Sequence, residues 1–309
     1  MAWSGSGLLA APPVVRSYSP SHFALELDGV QVGLVTGVDG GLPFADVVKE
    51  PGEEFFFKKH LGFPGYRDIR LEFGPGMEKS FYNWIAQALQ GTAPPMNGAV
   101  LSFNFNGALV SRLEFTRAQI TELTIPAADA GGKEQVRILI GLTPEQTFLN
   151  RSPTGPGLKS TSKTKNALSG NFKLTIDGVN TTRVSKVEAL TIKLPFKNNS
   201  QGECFSCGDI PAPSPIDFPN VFMTLSQTGA ESIEQWFQSF VISGENDESK
   251  EKSGELTFLT PDLQTPLFTV KFNHLGIFEL APAIGASSTD SIQRLVASMY
   301  CEWMEFSGQ

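Results

Sequence analysis

The chain has 309 residues, 40% hydrophobic and 18% charged, which is an ordinary soluble composition with room for two domains, each able to bury its own core. A net charge of -8 and a pI near 5.0 argue against nucleic acid as the main partner, because phosphate binding asks for a basic face. No apolar run approaches the ~20 residues of a membrane span, and the first residues lack the basic start and apolar core of a secretion signal, so a cytoplasmic origin is expected.

Residues 1–17 are small, apolar and proline-bearing, and read as a flexible N-terminal arm. From there the chain carries one unit twice. His22-Phe23-Ala24-Leu25-Glu26-Leu27-Asp28-Gly29-Val30 returns as Asn171-Phe172-Lys173-Leu174-Thr175-Ile176-Asp177-Gly178-Val179. Asp68-Ile69-Arg70-Leu71-Glu72-Phe73 returns as Asn220-Val221-Phe222-Met223-Thr224-Leu225, and Phe81-Tyr82-Asn83-Trp84-Ile85 as Ile233-Glu234-Gln235-Trp236-Phe237. Phe115, Ile120, Glu122, Leu123 and Arg137 return as Phe272, Ile277, Glu279, Leu280 and Arg294. The offset grows from 149 (His22 to Asn171) to 152 (Asp68 to Asn220) to 157 (Phe115 to Phe272) and never shrinks. Loops changed length while the elements kept their order, which reads as a tandem duplication of a whole domain; the period is too long for a solenoid. The expected division is domain 1 over 18–150, a Ser/Thr/Lys/Gly/Pro-rich linker over 151–167, and a diverged domain 2 over 168–309.

Each unit opens with alternating apolar residues followed by Asp-Gly (Asp28-Gly29, Asp177-Gly178), the pair favoured in tight hairpins because both turn residues need positive φ. A returning strand is expected through Val32 and Leu34, answered by residues 182–187. Apolar residues at 81, 84, 85, 88 and 89, matched at 233, 236, 237, 240 and 241, describe one amphipathic helix per unit, anchored by Trp84 and Trp236. Three strands follow in each copy, at 99–105, 111–124 and 135–142, and at 256–259, 267–280 and 292–299. This order predicts a mainly β, α+β chain: two antiparallel sandwiches or split barrels, each with one helix.

Candidate chemistry is sparse. Cys204-Phe205-Ser206-Cys207 is half of a zinc site without further ligands nearby; two free thiols, a reversible disulfide and a metal shared between subunits remain open. Gly74-Pro75-Gly76-Met77-Glu78-Lys79-Ser80 sits where a phosphate loop would, but Glu78 breaks the pattern, so it reads as a helix entry. His22, His60 and His274 show no spacing for a metal pair or triad, and Glu122 and Glu279 read as strand or interface residues. Residues 245–252 read as a solvated charged loop. No catalytic residue, cofactor or metal is assigned, and no enzymatic activity is expected.

The repeats resemble the T4-type phage tail-tube family, which also supplies the inner tubes of contractile injection systems. The resemblance is carried by Asp28-Gly29-Val30, Pro64-Gly65-Tyr66-Arg67-Asp68-Ile69, Phe81-Tyr82-Asn83-Trp84-Ile85, Arg112-Leu113-Glu114-Phe115, Ile120-Thr121-Glu122-Leu123 and Pro126-Ala127. It covers residues 20–145 well; the second copy keeps the hairpin, the helix tryptophan and the F-x4-I-x-E-L strand, but has Phe218-Pro219-Asn220 in place of Pro-Gly-Tyr. The resemblance implies a structural protein whose domains form six-fold rings, with tube, sheath, baseplate or spike proteins as partners and a place in a phage virion or injection particle. Two units per chain allow either three chains per ring, as in a hub or tube initiator, or six chains in two stacked rings as a main tube subunit. Divergence between the copies favours the first. A duplicated β-sandwich binding module is the alternative from another class.

Overall fold

A computed structural model describes residues 22–52, 55–158, 167–195, 215–283 and 293–308. In chain order the first half contains β1 (His22–Leu27), β2 (Val30–Val35), β3 (Gly37–Gly40), β4 (Pro43–Pro51), β5 (Phe57–Tyr66), β6 (Ile69–Phe73), α1 (Lys79–Leu89), β7 (Met96–Phe103), β8 (Leu109–Ile125), β9 (Ala128–Asp129), β10 (Ile138–Thr143) and β11 (Gln146–Asn150). The second half contains β12 (Phe172–Ile176), β13 (Val184–Val187), β14 (Leu190–Lys193), β15 (Val221–Ser226), α2 (Glu231–Phe237), β16 (Lys252–Leu259), β17 (Pro266–Pro282) and β18 (Arg294–Gly308). The chain is mainly β and all its strand pairs are antiparallel, as the alternation predicts.

One sheet runs β2-β1-β7-β8-β10-β6-β3, with β11 and β14 also on β8; the other runs β12-β16-β17-β18-β15-β13-β9; β4 and β5 pair only with each other. The order β1-β7-β8-β10-β6-β3 matches β12-β16-β17-β18-β15-β13 position for position. β10 and β11 together line one edge of β8, just as the single strand β18 lines β17.

The Asp28-Gly29 turn has both residues at positive φ (46° and 82°) and closes the β1–β2 hairpin. The second copy departs from expectation. Only Gly178 has positive φ, a single bridge joins Ile176 to Val179, and the chain then turns away. Residues 184–187 do not answer β2: they pair with β15, as β3 pairs with β6. The physical cause is visible at Thr181, whose hydroxyl donates to the Leu174 carbonyl in the middle of β12 and holds the chain to that strand by a side chain instead of a backbone ladder.

Helix α1 buries Phe81, Tyr82, Trp84, Ile85, Ala88 and Leu89, the whole predicted stripe. In the second half the α-helix stops at Phe237 and continues as a π-helical segment, Gln238–Ile242; Ile233, Trp236 and Phe240 are buried, whereas Phe237 is half-buried and Val241 exposed. The buried residues do not separate into one core per half. Leu25, Phe73 and Phe115 belong to the same contiguous cluster as Phe258, Phe272 and Phe306, because α1 packs against β18: the Tyr82 and Phe306 rings lie 5.9 Å apart. A small second cluster (Ala24, Ala99, Leu101, Phe103) sits on the other face of β1 and β7, where Leu158 covers it and donates its N–H to Gly107.

Candidate functional site

The feature with the greatest functional content is the joint between the halves. β8 is a 17-residue strand, longer than β7, so one of its edges continues bare beyond the end of β7. β14 fills that edge, with Leu190 opposite Ile125, Thr191 opposite Thr124, Ile192 opposite Leu123 and Lys193 opposite Glu122. The Thr124 and Thr191 hydroxyls are 3.1 Å apart, and Leu123, Ile125 and Ile192 are buried beneath the pairing. A second contact joins β9 to β13. The third is α1 on β18, where burial pushes the Tyr82 hydroxyl up to about 12; that oxygen accepts from the Met77 N–H. The two strand contacts join the sheets in both senses: β14 of the second half adds to β8 of the first, and β9 of the first half adds to β13 of the second.

The residues singled out in the sequence fall around this frame. Trp84 is buried and its Nε1 donates to the Pro94 carbonyl at 3.0 Å. Trp236 is buried with the Lys252 ammonium 5.3 Å from its ring centre, and its Nε1 finds no partner among the described residues. Glu122 is half-buried at the joint; Glu279, at the corresponding place in β17, is exposed and accepts from the Ser298 hydroxyl at 3.1 Å. Asp28-Gly29 and Asp177-Gly178 lie in turns at strand ends. Cys204 and Cys207 lie outside the described residues. Cys301 is buried, and desolvation pushes its thiol up to about 11, so it is a poor nucleophile. Gly74 to Glu78 connects β6 to α1 as a helix entry.

One cluster was missed. Residues 245–252 are not a plain solvated loop: Glu251 turns inward, accepting from the Tyr300 hydroxyl at 2.6 Å and lying 2.6 Å from His274 Nδ1, with Glu302 3.9 Å from the same nitrogen. His274 has φ 55°, at an irregularity in the β16–β17 register, and its ring lies 4.9 Å from Trp303. Ligand atoms of Glu251, His274 and Glu302 are within 4.8 Å of one another, a spacing compatible with a cation, but Glu251 is already engaged on both oxygens. No sequence spacing marks the trio, since a bulge brings it together. The hydrogen bond to Glu251 raises the His274 pKa above 6.5. Protonated His274 is therefore favoured in the folded state: its contribution is complete below pH 6.5 and is lost as pH rises through the folded pKa. His274→Gln should flatten that part of a thermal-stability-against-pH curve; identical slopes for both proteins above pH 6.5 would refute the coupling.

A cleft of about 240 Å³ beside β8 is lined by Glu26, Gln31, Leu101, Arg112, Asn150 and Thr154. Its charges satisfy each other: Arg112 grips Glu26 through two nitrogens at 2.6 and 3.1 Å and Glu114 through Nε at 2.8 Å. No nucleophile–base arrangement occurs there among the described residues.

No family model and no curated protein matches the chain. Solved structures with similarity include the sheath–tube complex of an extracellular contractile injection system, PVC, in its extended state (18% identity, TM-score 0.39, 45% of this chain and 94% of that one). The tube-terminating cap of the anti-feeding prophage overlaps at 21% identity and TM-score 0.40, over 48% of this chain and 100% of that one. The PVC sheath/tube terminator overlaps at 20% identity and TM-score 0.36, over 47% and 99%.

Proposed function

We propose that the protein is a structural, ring-forming component of a phage tail or contractile injection particle, built as a tandem of two tube-like domains (18–150 and 168–309) joined by the 151–167 segment. Three chains supply six domains to one ring in a hub-like or tube-initiating position. The observation that carries this reading is the edge-to-edge joint of β14 on β8, which links one half to the next without closing the chain on itself. Edge strands are a liability in a monomer and become joints in a closed assembly. Its work is mechanical; tube, sheath, baseplate or spike proteins are its partners, met after assembly in the cytoplasm, and no residue is assigned to catalysis.

Divergence between the halves supports the end-of-tube position. The sequence with Cys204 and Cys207 has no counterpart in the first half, and the second helix ends in a π-helical segment, as suits a component with a different neighbour on each side. Sedimentation of the purified protein should give a species larger than the 33.5 kDa chain, and cryo-electron microscopy should show rings with three chains per layer. A monomer at all concentrations would sink the reading. Six chains per two-layer unit, repeated along a shaft, would replace the end-of-tube trimer with a main tube subunit.

A further inference from the structure

On the ring-forming reading above, we infer that chains join by repeating between molecules the joint that each chain makes within itself: β4 of one chain adds to the bare edge of β17 in the next.

The first observation is the vacant edge. β16 pairs with β17 as far as Leu275, and residues 279–282 pair with β18 on one side but with no described strand on the other. That edge corresponds to residues 122–125 of β8, the stretch that β14 covers. The exposures differ accordingly. Leu123 and Ile125 are 1% and 0% exposed, whereas Leu280 is half-buried, Pro282 exposed and the adjacent Phe278 42% exposed.

The second observation is the strand that fits. β14 begins three residues after β13 ends, and β4 begins three residues after β3 ends; β3 and β13 hold the same place in their sheets. β4 therefore follows β3 as β14 follows β13, although β3 stays paired two residues further along its neighbour. It is bonded on one edge to β5, its other edge has no described partner, and Phe44, Val47 and Val48 are exposed along it. A long apolar edge of this kind is a template for strand addition.

The helices give an independent sign. Tyr82, Ile85 and Leu89 of α1, which packs on β18, are all buried. Their counterparts on α2 and its continuation are Glu234, exposed, Phe237, half-buried, and Val241, 37% exposed: a face without its cover. The counterpart of the end of β18 is β11, where half-buried Leu149 holds the place of Phe306. A neighbour placed by the β4–β17 pairing brings its β11 toward this face. The contact is head-to-tail, so repeating it gives a ring where the rotation closes, as the ring-forming reading requires.

Setting the first residue of β4, Pro43, in the place of the first residue of β14, Leu190, puts Phe44 opposite Ala281, Ala45 opposite Leu280 and Asp46 opposite Glu279. Where the internal joint has Lys193 facing Glu122, the contact between chains has two carboxylates. Like charges directly opposite are destabilising, so the joint between chains is the weaker of the two, tightens with added salt as the repulsion is screened, and tightens with Asp46→Lys.

The test uses the full chain with Cys204→Ser and Cys207→Ser, leaving only buried Cys301. Under mild oxidation Phe44→Cys with Ala281→Cys should give disulfide-linked multimers on denaturing gels. Thr124→Cys with Thr191→Cys should close within one chain, calibrating cross-strand reactivity. The off-register pair Val48→Cys with Ala281→Cys should stay unlinked. Asp46→Lys in the unmodified background should shift assembly to at least a few-fold lower protein concentration. Rings by microscopy without cross-linking of the 44/281 pair, or with equal linking of the off-register pair, overturn this joint and leave the ring-forming reading intact. The absence of any assembly overturns both.

Discussion

Replacing Phe306 by alanine is expected to lower the free energy of unfolding by about 3–5 kcal/mol, the range for emptying a buried aromatic site. Phe306 is 3% exposed, and its ring lies 5.7 Å from Phe268 in its own half and 5.9 Å from Tyr82 in the other. The cavity would open in the one cluster that both halves share, so the loss should appear in a single unfolding transition. Urea denaturation followed through tryptophan fluorescence tests this, since Trp84 and Trp236 report on opposite halves. A change below about 1 kcal/mol would contradict the packing. Two separated transitions, with the Trp84 half unaffected, would show that the halves are energetically independent.

Ile192→Asp should be as severe and should act on the joint itself. Ile192 is fully buried opposite Leu123, among apolar described residues; Lys193 is exposed on the opposite face of the strand. An uncompensated carboxylate there costs about 3–5 kcal/mol, as when one partner of a buried ion pair is removed. Thr191→Asp, one residue away on the exposed face, should stay within about 0.5 kcal/mol, as surface substitutions usually do. The contrast separates burial from mere presence of charge. Equal thermal shifts in the two variants would mean that β14 does not hold its edge in solution.

The sequence was most readable where local geometry decides structure. Asp28-Gly29 specified its own turn, and the spacing of Phe81, Trp84, Ile85, Ala88 and Leu89 specified both a helix and its buried face. The same rules failed in the second copy for physical reasons. Asp177-Gly178 still turns, but the Thr181 hydroxyl takes the Leu174 carbonyl in the middle of β12, so no second strand follows. The stripe through Phe237 and Val241 is written as core, yet among the described residues Phe237 is only half-buried and Val241 stays exposed. The β4–β5 hairpin was not predicted at all, because its apolar residues face no core among the described residues and so carry no alternation to read. Pairing of β14 with β8 links residues more than sixty positions apart, and a strand's pattern shows which face is buried but not which strand will lie alongside. The cluster of Glu251, His274 and Tyr300 was hidden for a similar reason: a register irregularity, not a spacing, turns Glu251 out of an apparently solvated charge run.

Carrying β14 and β8 on one polypeptide also changes the kinetics of assembly. Partners tethered on one chain meet at an effective concentration in the millimolar range, far above that of free subunits, so this pairing is complete before any second molecule arrives. In a ring of three chains, half of the six joints are therefore independent of dilution. Nucleation requires three molecules to meet rather than six, and the onset of assembly follows a lower power of concentration. A protein needed in a few copies per particle gains most from that arithmetic, because its ring can form while its own pool is still scarce.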